Sequence, residues 1–421
     1  ILFSFCTING LTLSQAPPPY TPPTNVVAPG LLLSTPALTP KPVPGPMAQL
    51  QLQSSAMELF TSEDIISHSS HKNVAIYGDT AIVGAPYNEI SRGFALVYIR
   101  EDNGGWMQHA KLVSPDGAAG DQFGYSVGIF GDTVIVGAHR DDGSREDSGS
   151  VYVFVRNGDL WIQQVKLVAP DGAYEDLFGN SVGIHGDTVV IGASWDGDNG
   201  KKSGSVYLFM RNGDTWTQQA KLLAPDGAAK DFFGRTVGIF EDTIIIGAWG
   251  DDNDNKNSGS VHLFARNGDA WTHQAKLVAP DGADGDLFGK GVGIFRDTAI
   301  VGAWGDDDNG EDSGSVYLFV RNGDVWTQQA KLVAPDATDF NYFGWSVGIF
   351  GDTAVVSAHG DCDNGERVGS IHLFVRNGDV WTHHARLLSP NTGSEFGKSV
   401  AIYNGTVIGA SPSGQVYVFS G

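Results

Sequence analysis

Carboxylates recur in this chain at a spacing that suits a hard cation. Residues 305–310 read GDDDNG, and near-copies, WDGDNG and GDCDNG, stand at 195–200 and 360–365. Calcium takes six to eight oxygen ligands, commonly from alternating Asp and Asn with a Gly that turns the chain. Asp196 and Asp198, Asp306 and Asp308, and Asp361 and Asp363 carry that alternation and are the candidate Ca2+ ligands, helped by Asp312. DNDN at 252–255 is similar. The pattern stops short of a full calcium loop and lacks its closing Glu. Asp, Asn and Gly also make good solvated turns by themselves, so both readings stay open.

A second set of residues stands out by varying. Phe-Gly and Gly-Ala dipeptides recur along the chain, and the residue after each changes. After Gly-Ala, or Ser-Ala at 357–358, come Pro86, His139, Ser194, Trp249, Trp304, His359 and Ser411; after Phe-Gly come Tyr125, Asn180, Arg235, Lys290, Trp345 and Lys398. Aromatic faces beside charged groups suit sugars or cationic groups. His139, Trp249, Trp304, His359, Arg235, Lys290 and Trp345 are therefore the candidate ligand-binding residues. Against this, a large aromatic usually finds cover in packing, and the three cations could simply offset aspartates. No Ser/His/Asp order, zinc spacing or phosphate loop interrupts the chain, so an enzyme is not expected.

The elements that must position these residues come from a repeat. The Thr of a "DT" or "GT" pair recurs at Thr80, Thr133, Thr188, Thr243, Thr298, Thr353 and Thr406, and a Trp keeps the same beat from Trp106 to Trp381. Within one unit, SVGIF, TVIVGA, GSVYVFVR and DLWIQQVKLVAP read as four strands, A to D. Gly-Asp joins A to B, and Asn157–Gly158 marks the C–D hairpin. Seven such units predict an all-β, seven-bladed β-propeller of four-stranded antiparallel blades. The repeating Trp is expected to pack between or outside the blades. The last unit stops after strand C. Residues 51–60 are expected to supply its outer strand and close the ring, with Glu58 aligned to Lys111.

Residues 1–50 hold eleven of the nineteen prolines, a composition that favours an extended, disordered leader. The domain division is thus 1–50 and 51–421. ILFSFC at the start is compatible with the end of a signal-peptide apolar segment. The chain of 421 residues carries a formal charge of −22, which argues against nucleic acid and anionic membranes as partners. No apolar run is long enough to insert in a membrane. Two cysteines are too few for a disulfide framework, so they do not define a compartment. Asn404–Thr406 is a formal glycosylation sequon, but Asn-Gly also suits the hairpin turn it occupies.

Phe-Gly at 123–124, 178–179, 233–234, 288–289, 343–344 and 396–397, with Gly-Ala following in phase, resembles the FG-GAP repeat. That repeat builds the N-terminal propeller of integrin α-subunits, and similar repeats occur in secreted or surface proteins of bacteria and algae. The resemblance spans residues 57–421 and implies an extracellular or cell-surface adhesion module, monomeric, with a protein or carbohydrate ligand. It breaks in two places. The integrin calcium loop between strands A and B is here only Gly-Asp-Thr, so those calcium residues are not carried over. The first unit has Ser70–His71 where Phe-Gly is expected, and it alone keeps the Pro of GAP.

In an up-and-down blade the B–C and D–A connections share one face. The acidic loops are expected there, as a negative ring around the channel mouth, and recognition is expected on that B–C/D–A face. The alternatives are a calcium-stabilised scaffold within a larger adhesin, or a propeller hydrolase with a pocket around His139, Arg235 and His359.

Overall fold

A computed structural model describes residues 57–58, 73–87, 90–252, 256–363, 365–390, 395–412 and 414–420. The leader at 1–50 lies outside these. The described chain forms seven four-stranded antiparallel sheets arranged in a ring, a β-propeller. Blade 2 shows the pattern: Ser126–Phe130, Thr133–Ala138, Ser150–Asn157 and Leu160–Leu167 pair in chain order. The strand order follows from tight turns that allow only neighbouring antiparallel pairs.

Strand B is buried on both faces, as its continuous apolar run requires. Its partners are the adjacent blades: seven apolar clusters form, each shared by two neighbours. One of them joins Ala81, Val83 and Leu96 of blade 1 to Ile408, Val416 and Val418 of blade 7. The hydrophobic core is therefore distributed around the ring.

The two dipeptides of the repeat meet at these interfaces. The Gly of Phe-Gly has positive φ, for example 89° at Gly179 and 94° at Gly289. Its carbonyl oxygen presses on the Gly of the preceding blade's Gly-Ala: a Cβ on Gly192 would lie 2.0 Å from the Gly234 oxygen. Each Phe of Phe-Gly is fully buried, edge-on to a strand-C ring such as Tyr152 or Tyr207. The repeating Trp packs across blades as expected. Trp216 Nε1 donates to Gln164 of the previous blade at 2.8 Å, and Trp381 Nε1 to Gln329 at 2.9 Å.

Met57–Glu58 pairs antiparallel with Val416–Phe419 as the outer strand of blade 7, with Glu58 opposite Tyr417. Lys166 stands opposite Tyr152 in the same way. The remainder of segment 51–60, and with it the expected closure of the ring, lies outside the described residues, as does Ser70–His71. The C–D turn differs in detail from expectation. Asn157 pairs with Leu160, so the turn residues are Gly158 and Asp159, and Gly158 alone has positive φ. That is a type II′ turn. Asn404 and Gly405 both have positive φ, the type I′ geometry that Asn-Gly favours.

Candidate functional site

The B–C and D–A loops do share a face, and they are joined there. Leu177 and Phe178 of a D–A loop donate backbone N–H groups to the carbonyls of Asp147 and Ser148 in the adjoining B–C loop. The acidic residues of these loops have specific work. In blade 3, Lys221 Nζ lies 2.7 Å from Asp171, 2.9 Å from Asp196 and 2.6 Å from Asp198. Tyr207 donates its hydroxyl to Asp171 and Asp196. Blade 5 repeats this with Lys331, Tyr317, Asp281, Asp306 and Asp308. In blade 6, Arg386 holds Asp361 at 2.5 Å and Asp336 at 3.4 Å. Burial works against the Lys221 ammonium, but its carboxylate partners outweigh it and the pKa rises.

These contacts test the calcium expectation. Asp196, Asp306 and Asp361 are each at most 3% exposed, and each carboxylate is already on an ammonium or guanidinium. The backbone N–H groups of Asp198 and Asp308 bond the other oxygens of Asp196 and Asp306. A calcium ion needs several such oxygens free. With lysine or arginine as the resident cation, these inner carboxylates do not fit one. Asp363 is exposed on the short hairpin formed by Cys362–Asp363 and Glu366–Arg367. Asp312 has a raised pKa, from burial and then the charges of Asp307 and Glu311. In blade 4, Asp226, Asp251 and His262 bring ligand atoms within 4.8 Å, but Lys276 sits on both carboxylates. His262, in the tyrosine's place, is pushed down to about 4, chiefly by burial.

The residues that vary after Phe-Gly converge. Tyr125, Asn180, Arg235, Lys290, Trp345 and Lys398, from six blades, line a cavity of about 430 Å3 at the loop end of the channel. None of the described lining residues is a carboxylate. The face is thus acidic among the loops around the mouth, and cationic at its centre, which the sequence reading did not anticipate.

The residues after Gly-Ala stand next to this lining. Lys290 Nζ lies over the Trp249 ring at 5.5 Å and the Trp345 ring at 4.8 Å, and Lys398 Nζ over Trp345 at 4.4 Å. Trp345 packs 5.2 Å from Trp304 and 4.8 Å from His359. Tyr125 lies against His139 and accepts a hydrogen bond from Arg235 at 3.1 Å. All seven predicted ligand residues therefore belong to one cluster. Packing also claims part of it, since Trp249 stacks on Phe232 and His359 on Tyr342. Asn180 is structural: its oxygen accepts Ser194 N–H and its amide caps carbonyls of the next blade. Burial pulls the Lys290 ammonium down to about 7, with help from Arg235 and Lys398. It lowers Lys398 to about 8 and His359 well below its ordinary value.

The other end of the channel was not anticipated. Tyr77, Phe130, His185, Phe240, Phe295, Phe350 and Tyr403, the last strand-A residue of each blade, form an unbroken circle of rings. Neighbouring centroids are 4.6–4.9 Å apart, and planes turn by 45–54° from one to the next, close to one-seventh of a turn. The rings stand like vanes around the axis and narrow the channel. The signal was present as an aromatic residue before every A–B turn.

The fold and site define a seven-bladed propeller with one narrowed end and one open, basic and aromatic mouth. The FG-GAP repeat model matches residues 106–154, 161–209, 216–264, 271–319 and 326–374, so the chain belongs to the FG-GAP repeat family. Each matched segment begins at strand D of one blade and ends in strand C of the next. No curated protein matches the chain. Among solved structures, selenomethionine-substituted virginiamycin B lyase from Staphylococcus aureus is similar in fold, with a TM-score of 0.54 at 8% identity, covering 87% of this chain and 99% of that one. Among the described residues no helix is long and apolar enough to cross a membrane.

Proposed function

We propose that this propeller is a non-catalytic binding module of the extracellular or cell-surface kind, recognising a protein or carbohydrate ligand on its B–C/D–A loop face. One observation carries the reading. Near-identical blades depart from the repeat at the positions after Phe-Gly and Gly-Ala, and those departures gather at one mouth. A scaffold alone gives no reason to vary them together. The fold is shared with a lyase, but at 8% identity that likeness concerns the fold and brings no catalytic residue with it. Calcium support is the weaker alternative, because lysine and arginine already neutralise the inner aspartates.

Arrays of glycans and of surface-protein peptides, probed with the full chain, test the reading. Binding should be lost in Trp345→Ala and kept in Val325→Ser on the opposite face. Equal loss in both variants, or no ligand on either array, counts against a recognition face at the mouth.

A further inference from the structure

We propose that the open end of the channel is an anion site, in which the Lys290 and Lys398 ammoniums and the Arg235 guanidinium receive the carboxylate, sulfate or phosphate group of a ligand. The inference rests on the binding-module reading and names the chemistry at its centre.

Three observations converge. The first is the treatment of lysine elsewhere. Lys166, Lys221, Lys276 and Lys331 each sit on two or three carboxylates. No ion pair among the described residues includes Arg235, Lys290 or Lys398. In a chain of net charge −22, carboxylates are abundant, yet the described lining of this cavity has none. Gathering like charges in a partly desolvated pocket is unfavourable unless an anion completes it.

The second is shape. The cavity of about 430 Å3 lies within the range of small-ligand pockets. Its three cations come from three different blades, so an oxyanion at the axis meets them from several sides. Arg235 and Lys290 are held in place by Tyr125 and by Trp249 and Trp345. The third is unspent hydrogen-bonding capacity beside it. Trp249 Nε1, Trp304 Nε1 and His359 Nδ1 are buried without a hydrogen-bond partner among the described residues, and His359 is 3% exposed. Such groups are usually satisfied; these three pack behind the lining, against Lys290 and Trp345, rather than on the cavity wall itself.

The site should also respond to pH. Lys290 is faced by Arg235, Lys398, Trp249, Trp345 and His359, with Arg367 and Glu395 acting on Lys398. Its folded-state pKa of about 7 lies below its ordinary 10.5. The unfolded chain therefore holds this proton more tightly, and stability rises with pH from about 7 towards 10.5. An anion reverses the bias and draws a proton onto Lys290.

Isothermal titration of the full chain with sodium sulfate, inorganic phosphate, D-glucuronate and neutral D-glucose decides the matter, at constant ionic strength set with chloride. At least one anion should saturate near pH 6 and bind roughly tenfold more weakly near pH 9, the scale of one lost charge-assisted bond. Near pH 7.5, buffers of different ionisation enthalpy should reveal about one-half proton or more taken up per anion. Lys290→Met should weaken binding about tenfold and cut the proton uptake to the smaller share that Lys398 takes up, while unfolding cooperatively. Binding of glucuronate alone identifies a carboxylate; binding of sulfate or phosphate alone identifies an ester group. No saturable anion binding, or equal affinity in Lys290→Met and Arg235→Ala, overturns the site. An array ligand held equally well by Lys290→Met overturns the anion site and leaves the binding face standing. Saturable anion binding with no array ligand does the reverse.

Discussion

At the turn end of the channel every blade places one ring in a closed circle, from Tyr77 round to Tyr403. At the loop end the same inner strands begin with Tyr125, Asn180, Arg235, Lys290, Trp345 and Lys398, no two adjacent blades alike. Both sets of residues face the same axis. The first is repeated because each ring completes its two neighbours, so a change in one blade disturbs three. The second is free of that constraint, since Phe-Gly just before it already fixes the backbone through a buried ring and a positive φ. Within one repeat, uniformity marks what the ring needs to close. On the proposed reading, variation marks where something outside the ring is met.

The largest effect should come from the frame that both ends share. A Cβ on Gly247 would lie 2.1 Å from the Gly289 carbonyl oxygen. Gly247→Val should therefore cost more than about 4 kcal/mol, or prevent folding, in urea denaturation. A loss below about 1 kcal/mol would mean the blades do not depend on this contact.

Next is the acidic surround of the mouth. Lys331→Ala strands Asp281, Asp306 and Asp308 together and should cost about 3 kcal/mol. Calcium at millimolar level should leave the wild-type Tm unchanged and raise that of Lys331→Ala, because removing the lysine frees the carboxylates. A clear calcium-dependent rise in the wild type would restore these loops as metal sites.

Phe240→Ala at the turn end should cost about 2 kcal/mol, below the range for a fully buried ring because this one is half-buried. It should leave anion affinity at the mouth intact, and a shared loss would show that the ends are coupled. The smallest effect is a gain. Glu241 holds a φ of 50° at a turn position that is Gly in blades 1, 2, 3 and 6. Glu241→Gly should add about 1 kcal/mol by relieving the left-handed backbone, read as a rise in Tm. No change would mean that Glu241 contributes something that offsets its strain.

Much of the architecture was legible because strand A, B, C and D patterns return on a fixed beat, and a period of that kind leaves few folds open. The loop face was legible too, since strand alternation alone places it. The mouth residues could be named individually from their variation, but their meeting point needed the register of the ring. The aspartates misled for a different reason. Asp196 and Asp306 look like metal ligands when read with their neighbours in sequence. Their real partners, Lys221 and Lys331, are 25 positions away on strand D. The lysine recurs as AKL in blades 1, 3, 4 and 5 and as VKL in blade 2, with arginine in its place in blade 6, and pairing it with the loop aspartates required knowing which strands touch. The aromatic circle was equally periodic, but rings scattered over seven blades become one object only after the chain closes on itself.

The circle of rings has a topological consequence. With neighbouring centroids under 5 Å apart in a closed circle, the rings narrow the passage at that end. A ligand too wide for that passage must leave by the mouth it entered. A long polymer of that width can present only an end or a pendant group, so at equal mass a preparation of short chains offers more places to be held than one of long chains.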